Sequence, residues 1–137
     1  MTQLNPYLTF NGNAREAVEF YKECFGGDLT IQTVGESPMA DQMPDMKNQV
    51  MHADLKKDGQ TLLFASDMVG ESKLVSGNSV TLCINCSSDE EIKGLFDKLS
   101  KGGTVSHELK EEFWGDTYGD FTDKFGVRWM LNYHKAQ

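Results

Sequence analysis

Apolar and polar residues first alternate and then recur at helical spacing in the opening part of the chain. Residues 5–10, NPYLTF, alternate as in a half-buried strand, and this pattern breaks at NGN, residues 11–13. A helix is then predicted, with Asn13 as its N-cap, Glu16 completing a capping box and a Gly-Gly pair ending it. Its buried stripe is predicted to contain Ala14, Ala17, Val18, Phe20, Tyr21, Cys24 and Phe25.

The strands and the second helix complete a repeated pattern. After the first helix, strands are predicted at residues 29–35, 48–59 and 60–68, the last two joined by an Asp-Gly turn. The second half repeats this order, with a strand at 79–85, a serine-capped helix within 87–103, and strands at 104–112, 114–123 and 127–134. Each half therefore reads β-α-β-β-β, and the repeat predicts one domain built from two modules, about 1–70 and 71–137.

The two helices match position by position in this repeat. Ala17, Phe20 and Tyr21 of the first helix correspond to three apolar residues of the second. Those counterparts are Ile92, Leu95 and Phe96, which with Leu99 form the predicted buried face of the second helix.

Composition narrows the classes of function. The chain has 137 residues and a net charge of -8, which argues against nucleic acid and against anionic membrane surfaces as partners. No apolar run approaches the roughly 20 residues needed to span a bilayer, and MTQLNPYLTF lacks the features of a signal peptide. The three cysteines have no metal-ligand spacing. We therefore expect a cytoplasmic protein.

One irregular stretch interrupts the first module. Residues 35–49, GESPMADQMPDMKNQ, carry three methionines and two prolines between predicted strands. This composition fits a mobile flap or a partner contact, and it fits an ordinary surface loop equally well.

The segments NPYLTFNGNAREAVEFYKECFGG, MHADLKKDGQTLLFASD and WGDTYGDFTDKFGVRWMLN resemble the PhnB-like branch of the vicinal oxygen chelate superfamily. That superfamily includes glyoxalase I, extradiol dioxygenases and bleomycin or fosfomycin resistance proteins. The resemblance implies an α+β fold in which two tandem βαβββ modules form a curved mixed sheet, with helices on its outer face and a pocket on its concave face. It also implies a homodimer.

The superfamily's enzymes hold a divalent metal at four strand positions, and the resemblance places those positions here. They fall at Pro6 or Tyr7, Leu63 or Phe64, Ser79 or Val80, and Met130. None of these is an ordinary ligand for a hard divalent ion, so we predict no metal and no other cofactor. Some family members are labelled methyltransferases, but the chain shows no strand, Gly-rich turn and helix unit for a nucleotide-like cofactor.

Strand alternation predicts which residues line the pocket. Apolar faces should meet the helices, so the mixed polar faces should line the concavity, and on the last strand Trp129 should pack in the core. His52 is the candidate catalytic residue, and its alternative is a hydrogen-bonded structural role. The predicted pocket residues are Tyr7, Thr9, His52, Asp54, Asp67, Ser79, Thr81, Trp114, Arg128 and Met130. Tyr118 is a further possible part of the wall, whereas His107 is expected to be exposed and His134 to fray.

Three functions follow from these patterns. The first is the binding of a small organic molecule in the pocket without the four-ligand metal site. The second is a glyoxalase-type or dioxygenase-type enzyme that builds a metal site from His52 with Asp54 or Asp67. The third is a resistance protein that sequesters a cationic drug in an acidic groove, which the net charge of -8 permits.

Overall fold

The chain forms two compact units, Met1–Val75 and Ser76–Gln137, each with its own sheet. The computed structural model describes residues 2–68 and 74–135. The predicted module boundary at residues 70 and 71 lies outside the described residues, and the prediction of a single domain stays a prediction. No helix of the described ranges is long and apolar enough to cross a membrane.

Unit 1 is a four-stranded mixed sheet covered by one helix. Its elements are β1 (Tyr7–Phe10), α1 (Ala14–Phe25), β2 (Asp28–Thr33), β3 (Val50–Lys57) and β4 (Gln60–Asp67). The sheet order is β1-β4-β3-β2, with β1 parallel to β4 and the other pairs antiparallel. The β3–β4 hairpin turns at Asp58 and Gly59, which both have positive φ, as a two-residue hairpin of this type requires.

The apolar stripe of α1 lies against one face of this sheet. Helix α1 contacts β2, β3 and β4, and alternate residues of the strands are buried, as expected for a sheet with one covered face. The residues buried between helix and sheet are Ala14, Ala17, Val18 and Tyr21 of α1, with Ala53, Leu55, Leu63 and Ala65 of β3 and β4. Phe20 and Phe25, which were also placed in the stripe, are half-buried.

A distant carboxylate, rather than the predicted Asn13, bonds the first turn of α1. Asn13 occupies the N-cap position but makes no side-chain capping bond. Instead, Asp67 Oδ1 accepts hydrogen bonds from the backbone N–H groups of Gly12 and Ala14, both at 2.9 Å. Asp67 Oδ2 accepts a third bond, at 2.8 Å, from Val50 N–H. This 4% exposed acid therefore joins β4, the start of α1 and the start of β3.

The irregular stretch between β2 and β3 returns close to its own starting point. Val34 N–H donates to the Gln49 carbonyl at 2.9 Å, and Gly35 N–H donates to the Lys47 carbonyl at 3.0 Å. Two short 3₁₀ helices, Val34–Glu36 and Pro44–Met46, lie within it. Its three methionines are half-buried, and a role as flap or contact stays a prediction.

Unit 2 repeats the topology of unit 1. Its elements are β5 (Leu82–Cys86), α2 (Asp89–Leu99), β6 (Thr104–Glu111), β7 (Asp116–Thr122) and β8 (Arg128–His134). The sheet order is β5-β8-β7-β6, again with only the first pair, β5 and β8, parallel. The predicted α+β class with two βαβββ modules is therefore confirmed.

The prediction for the start of β5 was wrong by three residues. The strand begins at Leu82 instead of residue 79, because its partner β8 begins at Arg128 and the pairing starts with Leu82 opposite Trp129. Val80, predicted to meet the helix, is 71% exposed. Ser79 and Thr81 consequently precede the strand and were wrongly assigned to its face.

The core of unit 2 lies between α2 and the sheet. Ile92, Phe96 and Leu99 are buried and Leu95 is half-buried, which matches the burial of their counterparts in α1. The rings of Phe96 and Phe121 meet edge to face at 5.1 Å. A side chain at Gly119 would strike the Phe96 ring, so this close approach of helix and sheet requires glycine.

A second buried carboxylate organises the turn before β8. Asp123 Oδ1 accepts bonds from the N–H groups of Phe125 and Val127, and its Oδ2 accepts one from the Trp129 indole at 2.8 Å. Trp129 is 3% exposed, so its predicted place in the core is confirmed. The predicted serine cap of α2 is also confirmed, because Ser88 Oγ accepts a bond from Glu91 N–H.

Replacing Asp67 by Asn tests its structural role. The amide presents N–H groups to backbone donors, so we expect the free energy of unfolding to fall by about 2–4 kcal/mol. Urea denaturation measures this change. The matched control is Asp58→Asn in the exposed hairpin turn, where an Asn-Gly pair suits the same turn and stability should change by less than about 0.5 kcal/mol. Equal stability of the two variants would contradict the role given to Asp67.

Candidate functional site

Each sheet has one face covered by a helix and one that is not. In unit 1 the side chains that alternate with the buried residues of β1, β3 and β4 lie on this second face, which we call the helix-free face. On this face are Tyr7, Thr9, His52, Asp54, Phe64 and Ser66. The burial pattern places Tyr7, Thr9, His52 and Asp54 on this face, and their contact with a ligand stays a prediction.

Three rings form an aromatic cluster on the helix-free face of unit 1. Tyr7 and Phe64 are paired across β1 and β4, with ring centres 6.0 Å apart. The His52 ring lies 5.2 Å from Phe64 and 6.0 Å from Tyr7. All three pairs are tilted rather than stacked, and Tyr7 is 51% exposed. The cluster thus offers apolar ring surface beside one imidazole.

Asp54 has partners of its own on this face. Its Oδ1 accepts a hydrogen bond from Thr61 Oγ1 at 3.0 Å, and its Oδ2 lies 3.6 Å from Lys56 Nζ. The carboxylate is therefore paired with groups at the hairpin end of the sheet.

The donor set of unit 1 does not fit the metal site considered for His52. Asp67 lies on the helix side, where three backbone N–H groups bond it, whereas His52 lies on the opposite face. Asp67 was therefore wrongly grouped with His52 and the pocket. Within residues 2–68 and 74–135, no three His, Cys, Asp or Glu side chains are grouped as a metal site requires. At the strand positions implied by the resemblance, the helix-free members are Tyr7, Phe64 and Met130, none of them a ligand for a hard ion.

The helix-free face of unit 2 is polar. Its central strand, β7, places Asp116, Tyr118 and Asp120 on this face, because the alternate residues Thr117, Gly119 and Phe121 are buried. The other strands of the sheet add Cys83 and Asn85 from β5, His107 from β6, and Arg128, Met130, Asn132 and His134 from β8. Cys83 is exposed here, whereas its neighbour Cys86 is buried.

Two carboxylates on this face accept hydrogen bonds from neighbouring side chains. Asp120 accepts from Tyr118 O–H at 2.8 Å and from His107 Nδ1 at 2.9 Å. Asp116 accepts from Asn132 Nδ2 at 2.9 Å and from His134 Nδ1. The hydrogen bonds from Asn132, His134 and the Trp114 indole lower the pKa of Asp116.

Burial and the Asp120 carboxylate together raise the pKa of Tyr118 to about 12. Burial disfavours the phenolate, and the hydrogen bond to Asp120 holds the proton on the phenol. Tyr118 therefore stays a neutral hydroxyl at physiological pH.

The remaining predicted residues lie in unit 2. Met130 is half-buried between Cys83 and Asp120 in the strand register. Arg128 donates to the Asn78 carbonyl at 2.7 Å. Trp114, in the β6–β7 connection, is 52% exposed and meets Phe113 edge to face at 4.9 Å.

Sequence reasoning missed the carboxylates at the centre of this face. Asp116 and Asp120 flank Tyr118 at two-residue spacing, and this alternation in DTYGDFT is the signal that would have placed them on one face. His107 is exposed as expected, but its Nδ1 is hydrogen-bonded to the Asp120 carboxylate. His134, expected to fray, instead ends β8 and bonds Asp116.

Comparison with known proteins identifies the family and finds the same fold in solved structures. Residues 2–132 match the family described as 3-demethylubiquinone-9 3-methyltransferase. The solved structure of protein PA1353 from Pseudomonas aeruginosa is 37% identical, with a TM-score of 0.87 over 99% of this chain and 100% of that chain. The PhnB protein from Bacillus cereus is 26% identical, with a TM-score of 0.76 over 96% and 99% of the two chains.

A more distant structure shares the fold alone. It is a glyoxalase/bleomycin resistance protein from Albidiferax ferrireducens T118, 13% identical, with a TM-score of 0.66 over 96% of this chain and 98% of that chain. The paired βαβββ units thus have the fold of that glyoxalase/bleomycin resistance protein. The chain belongs to the family matched by residues 2–132, and the Bacillus cereus PhnB protein carries the same family description.

Removing the Asp120 charge tests the account of Tyr118. In Asp120→Asn we expect the Tyr118 pKa to fall part of the way from about 12 towards the ordinary value near 10, since burial still raises it. Titration followed by the ¹³Cζ signal of labelled tyrosine measures it. The exposed Glu90→Gln on α2 is the control and should leave the Tyr118 titration unchanged. An unchanged titration in Asp120→Asn would rule out this coupling.

Proposed function

We propose that the chain binds a small organic molecule on the helix-free face of unit 1, with Tyr7, His52 and Phe64 as the contact surface. The observation that carries this proposal is the cluster of three rings within 6.0 Å of one another on a face that α1 does not cover. Rings held by adjacent strands lose little side-chain entropy when a ligand packs on them. A ligand with a planar apolar part suits this surface best.

His52 supplies the polar contact in this proposal. An imidazole can donate or accept a hydrogen bond, and it can take up or release a proton. His52 is half-buried beside Phe64, so it can orient one polar group of a ligand whose apolar part lies on the rings. If the chain has a catalytic step, His52 is the residue of unit 1 that we propose for proton transfer.

The proposed binding does not require a metal ion. The side chains at three of the four inferred ligand positions are a phenol, a phenyl ring and a thioether, and the fourth position, Ser79 or Val80, precedes β5. The carboxylates near His52 have other partners. The methyltransferase activity in the family description has no specific support in the contacts of the described residues. A cytoplasmic location stays a prediction, as does the sequestration of a cationic drug.

We further propose that the chain forms a homodimer. Its support is exposed apolar surface at Val80, Phe113 and Trp114, which are 71%, 95% and 52% exposed respectively. Sedimentation velocity at micromolar concentration is expected to show twice the mass of the 15.4 kDa chain. A monomer throughout that range would contradict the proposal.

Planar fragments test the binding proposal directly. Indole and quinoline are titrated into the protein, and the dissociation constants are measured from amide shifts in NMR spectra. We expect Tyr7→Leu to weaken binding by roughly threefold to tenfold, the scale of one lost aromatic contact. His52→Ala should weaken quinoline, which has a ring acceptor, more than indole.

The control for these titrations is Phe20→Leu. This substitution removes a half-buried ring from α1, on the covered side of the same sheet. We expect it to leave the dissociation constants unchanged. Loss of binding in this control to the same extent as in Tyr7→Leu, or absence of binding at millimolar fragment, would overturn the proposed site.

A further inference from the structure

The connection between β2 and β3, residues 34–49, is an insertion relative to the repeated topology. Its counterpart in unit 2, the connection between β6 and β7, consists only of residues 112–115. Unit 2 therefore reaches the same strand order with four residues where unit 1 uses sixteen. Long connections in compact domains commonly carry function. The fold alone does not require this one, which we call the methionine loop after its residues Met39, Met43 and Met46.

The methionines of this loop do not fill a core. All three are half-buried, and no residue from 38 to 49 is buried. Three of the chain's seven methionines nevertheless lie within residues 39–46. Because a methionine that serves to fill a core gap is enclosed by other side chains, core packing does not explain this concentration of thioethers.

Two consecutive turns of the backbone bring these side chains close together. Met43 N–H donates to the Met39 carbonyl at 3.0 Å, and Met46 N–H donates to the Met43 carbonyl at 3.0 Å. Residues three and four positions apart in helical turns have Cβ atoms about 5–6 Å apart. The methionine side chain is long, unbranched and flexible, so three sulfur atoms that start from this spacing can converge on one ion.

Hydrogen bonds fix the ends of the methionine loop. Ser37, which is 8% exposed, donates from Oγ to the Val34 carbonyl at 2.7 Å and accepts from Met39 N–H at 3.1 Å. Gly35 N–H donates to the Lys47 carbonyl at 3.0 Å. The methionines therefore lie on a closed backbone, which reduces the conformational entropy lost when a ligand binds.

We propose that the methionine loop binds a soft monovalent metal ion, Cu(I), with the thioethers of Met39, Met43 and Met46 as ligands. Thioethers are soft donors that favour Cu(I), whereas hard divalent ions prefer oxygen. Asp41 and Asp45 are exposed in the same loop and add favourable charge for a cation. This site differs in its donors from the metal site considered for His52, and it does not rest on the proposed function.

A titration with Ag(I) tests the site. Ag(I) has the charge and softness of Cu(I) and is stable in air. Cys83 is exposed and its thiol would compete for the ion, so every protein in the test carries Cys83→Ser. In spectra of methyl-¹³C methionine, we expect the three loop signals to shift together until ion and protein are equimolar. The signals of Met51 and Met130, which are half-buried elsewhere in the chain, should not move.

Leucine replacements assign the ligands. Met43→Leu keeps the volume and apolar character of the side chain and removes the sulfur. We expect it to weaken Ag(I) binding by at least about tenfold, a loss that is typical even for groups that only orient a metal ligand. The matched control is Met130→Leu on β8, which should leave the affinity unchanged. If Met43→Leu does not fold, Met46→Leu in the short 3₁₀ helix carries the same test.

Two further measurements separate thioethers from other donors. A thioether has no proton to lose, so the affinity for Ag(I) should stay constant across neutral pH, whereas imidazole or thiolate ligands would bind less tightly in acid. Zn(II) should leave the loop signals in place at the concentration where Ag(I) saturates them, because its ordinary ligands are thiolates, imidazoles and carboxylates.

Each part of this test has an outcome that contradicts the site. Equal Ag(I) affinity in Met43→Leu and Met130→Leu, or binding that weakens in acid, would exclude the loop thioethers as ligands. Movement of the loop signals by Zn(II) at equal concentration would assign recognition to Asp41 and Asp45. Loop signals that stay in place at millimolar Ag(I) would mean that no soft metal binds. Tyr7→Leu should leave Ag(I) binding unchanged, so this proposal and the proposed function fail separately.

Discussion

One helix for each four-stranded sheet is the constraint on which the rest of this structure depends. A helix covers one face of a sheet, so the alternate residues of every strand must satisfy different environments. In unit 1, Leu63 and Ala65 are buried under α1, while Phe64 lies between them on the other face. The residues proposed to contact the small organic molecule belong to the helix-free face of unit 1.

The acidic residues divide between two tasks. Asp67 and Asp123 are buried, and each accepts three hydrogen bonds that fix a helix start or a turn. Their charges therefore stabilise the fold. Asp116 and Asp120 instead hold side-chain donors on the helix-free face of unit 2. The latter pair sets the hydrogen-bonding pattern of this face.

Local sequence patterns predicted the repeated order of elements, the helix stripes and the strand faces, because spacing alone determines them. They did not predict that Asp67 bonds Gly12 and Ala14, since those residues are more than 50 positions away in the chain. The start of β5 was missed because it depends on where β8 begins. His107 and His134 were set aside for the same reason: their partners, Asp120 and Asp116, lie on a neighbouring strand.

The central claim is that the helix-free face of unit 1 is a ligand surface. Intermolecular NOE spectra of the protein with bound indole test it most directly, because they report which protons lie within contact distance of the ligand. We predict cross-peaks from indole to the ring protons of Tyr7, His52 and Phe64. Cross-peaks to residues of α1 instead, with none to these three rings, would contradict the account.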